Sequence, residues 1–249
     1  MAMMATLPTA GLTPRQRAAT ETLVADLERV FGARLRSVVA YGIEHASDDR
    51  PLHGLALVDS LTFEDLQQLV PLAQDWQKRA LAVPLILPRH EFLRTLDVFP
   101  LEYGNIIADH VVLAGSSPFV DAHVSDADRR RGCELEAKSH VIHLREGFLE
   151  TGGDPRRVAQ LIAASARSFR TVLENIIRLE HGSGVRVSFA DDETVADEAA
   201  RAIGIPAALV IDVLAARRGM STVADPAALL ARYIGASEQV WRFVDGWTK

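Results

Sequence analysis

Between Asp154 and Gly182, apolar side chains recur at Val158, Leu161, Ile162, Phe169, Val172, Leu173, Ile176 and Ile177, with Ser165 completing the row. A period of 3.6 residues sustained for about seven turns describes an α-helix and excludes a strand. One apolar face of that length must be covered by other elements. The preceding stretch DADRRRGCELEAKSHVIHLREGFLETGG supplies a partner, with Ala137, Val141, Leu144 and Phe148 on one face and a stop at Gly152-Gly153. Shorter helical patterns follow around ETVADEAARAIG, PAALVIDVLAARRG and DPAALLARYIGASEQVWRFVDGW. Short connections between them make an all-α helical bundle the expected packing of residues 121–249.

The first half reads differently. After a loose opening dozen, TPRQRAATETLVADLERVFG has Thr13 as N-cap, Pro14 at the first helical position, Leu23, Val24, Leu27 and Val30 at helical spacing, and Gly32 as the stop. LRSVVAYG and GLALV are short apolar strands, and TFEDLQQLVPLAQDWQKRA returns to a helical period. VPLILP and DVFPLEYGNII read as extended, and HVVLAGSSPF as a strand with a Gly-Ser turn. Alternating helices and strands over residues 13–120 signal a sheet with helices packed on it, so the chain as a whole reads as α+β in two domains.

Composition narrows the function. With 48% hydrophobic and 24% charged residues the chain is ordinary globular protein, and a formal charge of −6 argues against a nucleic-acid partner. Arg129, Arg130 and Arg131 are a local exception, read as a solvated turn or an anion site. No basic, apolar leader opens the sequence and no run of about 20 apolar residues follows, so a cytoplasmic protein without a membrane partner is expected. Cys133 is the single cysteine. It reads as buried helix filler, or as a nucleophile if His140 or His143 serves as its base. The two histidines lie three apart and read as a metal pair only if further ligands join them. GSSP at 115–118 lacks the Lys of a phosphate loop and reads as a turn. Trp241, Phe243 and Trp247 read as packing for the last helix or as an exposed docking patch for a protein partner.

An opening helix, a strand ending in Tyr41-Gly42, a polar loop, a second strand and a C-terminal bundle together resemble the nucleotidyltransferase superfamily related to polymerase beta. The likeness is to bacterial members with an appended bundle. DVFPLEYGNIIADHVVLAGSSPF, from Asp97 to Phe119, strengthens it, being similar to the Phe-Pro-apolar-Glu segment and the His-x-Val-Leu-x-Gly turn of that subgroup. The resemblance implies a mixed sheet with flanking helices, and a glycine-serine pair followed by two acids at i and i+2 on the next strand. Those acids would share Mg²⁺ ions that bind a nucleoside triphosphate.

Under this alignment Gly42 keeps the glycine, Ile43 replaces the serine, and the acid positions fall on His53 and Leu55. Other acids two apart, Asp26/Glu28, Asp126/Asp128, Glu134/Glu136 and Asp191/Glu193, all lie in helical or loop segments. Asp59 ends the second strand without a partner at Leu57 or Leu61, and Asp48-Asp49 are loop neighbours. Glu102 reads as a remnant third acid on a later strand, or as a carboxylate hydrogen-bonded nearby. His53 reads as a surface histidine, or as a transition-metal ligand with Glu44 or His45.

The expectation is therefore a frame without catalytic residues: an inactive nucleotidyltransferase-like protein serving as a binding or scaffolding module. No cofactor is expected of it, and a protein partner, a small ligand or a second copy of the chain are its candidate companions. The alternatives are an active transferase that uses Mg²⁺ and a nucleotide to modify a small molecule or protein, and one half of a two-protein complex.

Overall fold

The computed structural model describes residues 12–43, 51–182, 187, 189, 191–217 and 224–248. The chain divides into two compact units, Met1–Val124 and Ser125–Lys249.

In the first unit, helix α1 (Pro14–Phe31) opens with a capping box. The Thr13 hydroxyl accepts from the Gln16 N–H, the Gln16 side chain accepts from the Thr13 N–H, and Pro14 stands at the first helical position. The strands are β1 (Leu35–Tyr41), β2 (His53–Val58), β3 (Leu85–Pro88) and β4 (His110–Gly115), in the order β3-β2-β1-β4. β1 is antiparallel to β2 and β4, and β2 is parallel to β3. The crossover from β2 to β3 is helix α2 (Phe63–Lys78), capped by Thr62.

Side chains alternate across the sheet. Val38, Ala40, Ala56 and Val58 pack with Leu23, Leu27 and Phe31 of α1 and with Leu69 and Trp76 of α2. Val39, Leu55 and Leu57 pack on the other face with Phe92 of α3 (Arg89–Arg94), Tyr103 and Ile106 of α4 (Pro100–Ala108), and Phe119. The sheet is thus buried on both sides by short helices. Gly115 closes β4 at φ 79°, where an added Cβ would lie 2.2 Å from the Arg36 carbonyl oxygen, so only glycine lets the backbones approach.

One sequence expectation is corrected here. DVFPLEYGNII is not extended: a turn over 95–98 leads into helix α4, with Pro100 at its start. Proline lacks the N–H that a first helical turn leaves unpaired anyway, so Phe-Pro marks a helix start rather than an edge strand. Glu102 accordingly sits in the first turn of α4 and not on a strand.

Among the second unit's described residues the regular structure is all helical: α5 (Asp126–Thr151), α6 (Pro155–His181), α7 (Asp192–Ile203), α8 (Ala207–Ala216) and α9 (Pro226–Asp245). The side chains of Ser125, Asp154, Asp191 and Asp225 each accept from a first-turn N–H and so cap α5, α6, α7 and α9. α6 is the central helix, burying Val158, Ile162, Ala166, Phe169, Leu173, Ile176 and Ile177. Arg170, itself on α6, donates to Glu174, to Asp192 and to the Phe189 carbonyl, tying the segment before α7 to α6 through a buried cation. Among the described residues, no helix is long and apolar enough to cross a membrane.

Candidate functional site

One end of the first unit's sheet gathers its polar aromatics, His53 exposed and Tyr41 and His110 half-buried. His53 on β2 lies opposite Tyr41 on β1, which in turn lies opposite His110 on β4. Directly opposed residues share a face, so an imidazole, a phenol and a second imidazole form a row across three strands. The Tyr41 and His53 rings stack with centroids 5.5 Å apart and 28° between planes. His110 is anchored: its Nδ1 hydrogen-bonds the Ile107 carbonyl at 3.0 Å, and Phe119 meets its ring edge-on at 4.6 Å.

Partial burial raises the Tyr41 phenol to about 12, and the Glu102 carboxylate adds to the rise. Burial of its ring face lowers the pKa of His53, so its imidazole stays neutral near neutral pH. The cluster therefore offers a protonated phenol at Tyr41, a neutral imidazole at His53 and the carboxylate of Glu102.

Leu55, one alternation inward from His53, is 0% exposed within the apolar cluster under α3 and α4. Gly42 follows Tyr41 at φ 68°, a left-handed conformation that glycine adopts without strain. Ile43 packs against the cluster on the opposite face of the sheet, under α1 and α2. His53, Leu55 and Glu102 thus share one side of the sheet while Ile43 belongs to the other. Glu44, His45, Asp48 and Asp49 lie outside the described residues.

Two further acids of this unit are committed to arginines. Both oxygens of Asp59 accept from Arg36 at 2.5 Å, and Asp65 pairs bidentately with Arg34 at 2.7 Å while capping α2. Among the described residues, no group of three His, Cys, Asp or Glu side chains is placed to hold a metal ion. A pair of Mg²⁺ ions needs several anionic oxygens. A neutral imidazole, a protonated phenol, a buried leucine and one carboxylate do not fit that requirement.

The second unit separates the residues that sequence spacing brought together. His140 is buried, with Nε2 2.8 Å from the Tyr233 hydroxyl and Nδ1 3.2 Å from the Ser168 hydroxyl, whereas His143 is exposed and pairs with Glu146. They form no joint site. Burial pushes the Cys133 thiol up to about 12, which leaves it a packing residue rather than a nucleophile. Arg129, Arg130 and Arg131 fall within the first two turns of α5, not in a turn before it, and Arg130 and Arg131 pair with Glu134 and Asp128. Trp241, Phe243 and Trp247 are half-buried: the Lys138 ammonium sits 3.5 Å above the Trp241 ring, and the Trp247 indole donates to Glu180.

No family model matches this sequence, and no curated protein does. Among solved structures, spectinomycin adenyltransferase AAD(9) from Enterococcus faecialis, crystallised with ATP and spectinomycin, is similar in fold. It superposes with a TM-score of 0.54 at 10% sequence identity, over 90% of this chain and 98% of that one. The chain has a nucleotidyltransferase-like fold, a mixed sheet with flanking helices followed by a helical region. Sequence reasoning reached Gly42, Ile43, His53, Leu55 and Glu102 but missed the row that Tyr41 and His110 complete. Its signal was faint: an aromatic or a histidine at the end of each of three strands.

Proposed function

We propose that this protein is a nucleotidyltransferase-like protein without transferase activity, in which the frame persists as a binding or scaffolding module. The observation that carries this reading is Leu55, wholly buried in an apolar cluster at the position where the family resemblance puts the second metal-binding acid. Phosphoryl and nucleotidyl transfer depend on cations that neutralise charge on the transferring group. A leucine supplies no ligand for them, and Glu102 without a cation repels a triphosphate.

What the sheet end offers instead is a row of His53, Tyr41 and His110 side chains, the first two rings stacked on each other, beside one carboxylate. Rings of this kind bind planar groups by stacking and fix them with a few polar contacts. The module therefore binds a planar, neutral or cationic group rather than a polyphosphate.

The purified protein, incubated with Mg²⁺ and each of ATP, GTP, CTP and UTP together with aminocyclitol and protein acceptors, is expected to transfer no nucleotide. Incorporation that disappears in Glu102→Gln or Asp59→Asn would overturn the proposal in favour of an active transferase, the activity that the structural neighbour's description states for that protein.

A further inference from the structure

Helix α5 has apolar side chains on two opposite faces. One face, Cys133, Ala137, His140, Val141 and Leu144, is buried in the helical unit. The other holds Leu135, Ile142 and Leu149, which are 72%, 41% and 78% exposed. These three recur every seven residues and lie about 180° around the helix from the buried row, so they form one nearly straight stripe. A helix with one buried apolar face has no need of a second.

The residues between them say what covers the stripe. Read along α5, the outward line is Arg131, Leu135, Ser139, Ile142, Glu146, all exposed except the half-buried Ser139: a cation, an apolar group, a small polar group, an apolar group and an anion. Read backwards it is an anion, an apolar group, a small group, an apolar group and a cation. The line is its own complement under a two-fold rotation near Ser139, which is the property an isologous contact demands.

We propose that α5 is the contact helix of a two-fold homodimer in which two copies pack antiparallel, Leu135 of each against Ile142 of the other and Arg131 against Glu146. Ser139 at the axis lets the backbones approach. Lys138 is held off the axis over Trp241, and Arg145 is turned aside to Glu238. In the single chain Arg131, exposed itself, pairs with the partly buried Asp128, which also accepts from Ser125, and Glu146 pairs with His143 at the surface; Arg131 and Glu146 are thus free to re-pair across the interface at little cost. One helix per copy buries less than a permanent dimer requires, so the association is a weak one of micromolar to millimolar strength.

Sedimentation equilibrium across that concentration range is expected to show a reversible monomer–dimer equilibrium. L135E should weaken it roughly tenfold or more, since it puts a charge at the centre of the contact. R131E and E146R should each weaken it by roughly two- to fivefold, and R131E/E146R together should restore it, because the pair is only exchanged. Orientation is read by cross-linking. Under mild oxidation S139C should form disulfide dimers and L149C should not, whereas a parallel pair would link both; Cys133 is buried and silent in either case. A chain that stays monomeric at every concentration, a double charge reversal that fails to restore association, or a linked L149C would overturn the proposal.

Discussion

The Nε2 of His140 and the hydroxyl of Tyr233 meet at 2.8 Å inside the helical unit, joining α5 to α9, while Nδ1 of the same ring reaches Ser168 on α6. Each ring nitrogen has a partner, and the ring stacks on Phe169 at 5.6 Å. The neutral imidazole is thus fully hydrogen-bonded in an apolar setting. Burial lowers its pKa to about 4, and the nearby His143 adds to the depression.

A histidine held below its unfolded value of about 6.5 contributes stability above that pH and loses it as pH falls towards 4. The helical unit should therefore lose about 3 kcal/mol across this window, an order-of-magnitude figure from the size of the shift. His140→Phe keeps the stacking and removes the titration. Urea midpoints of wild type and variant at about pH 7 and about pH 5 should show a steeper fall for wild type. Parallel falls would mean that other groups carry the acid sensitivity.

Arg170 is the cation at the centre of a buried network, its side chain 12% exposed and those of Glu174 and Asp192 9% and 7%. Arg170→Met should destabilise the second unit by about 3–5 kcal/mol, because two buried carboxylates lose the cation they share. Lysine carries its three donors on one atom, whereas Glu174, Asp192 and the Phe189 carbonyl are reached from Nε, Nη1 and Nη2 of a planar guanidinium, so Arg170→Lys should recover only part of that loss. Chemical denaturation of the three proteins measures both. A loss within error for Arg170→Met would mean that solvent enters the site.

Asp65 shows the same sign of pH dependence in a more acidic window. The Arg34 guanidinium, then the Thr62 contacts, hold its carboxyl well below the usual carboxylate range against the opposing cost of burial. Its contribution is present above the ordinary carboxylate pKa of about 3.9 and is lost as pH falls below it towards the depressed value. Asp65→Asn should cost about 1–3 kcal/mol at neutral pH, since the bidentate pair becomes at best a neutral hydrogen bond, and the cost should shrink in strong acid. Thermal melts at the two pH values test this, and a penalty independent of pH would attribute the loss to the helix cap alone.

Much of this architecture was legible in local chemistry. Thr13-Pro14, Gly32 and Gly152 mark helix ends through their own backbone requirements, and the strands at Leu35–Tyr41, His53–Val58 and Leu85–Pro88 announce themselves as apolar runs. Helix α4 reads as extended in the sequence because Gly104 and the β-branched Ile106-Ile107 disfavour helix locally, and Pro100 signals a helix start only once the turn before it is known; burial of Leu101, Tyr103 and Ile106 overrides the local preference. His53 and Leu55 were legible as neighbours on one strand face because that follows from alternation alone. The His53–Tyr41–His110 row was not, since it depends on the registers of two strand pairs, one of them across a separation of about 70 residues in sequence. The Arg170–Asp192 contact was hidden for the same reason: only the i,i+4 partner Glu174 is visible from spacing.

Leu55 also provides the sharpest test of the proposal that this frame lacks a metal site. It pairs with Val39 on β1 and Leu85 on β3, and its side chain has no contact with water. Leu55→Asp alone should cost about 3–5 kcal/mol, the penalty of an unpaired charge in an apolar cluster. His53→Asp alone should cost little, since that position is open to solvent. Combined, the two carboxylates stand on one strand face with Glu102 nearby, and a divalent cation bound between them would neutralise the buried charge. Mg²⁺ should then raise the melting temperature of His53→Asp/Leu55→Asp and leave wild type unchanged, because a ligand stabilises only the state that binds it. Adding Ile43→Ser should not enhance the Mg²⁺ response, since Ile43 packs on the opposite face and its replacement only loses apolar contact there. A double variant as stable as wild type, or one that Mg²⁺ does not shift, would show that these positions never formed a metal site, and the reading of this protein as a transferase frame without its acids would fall with it.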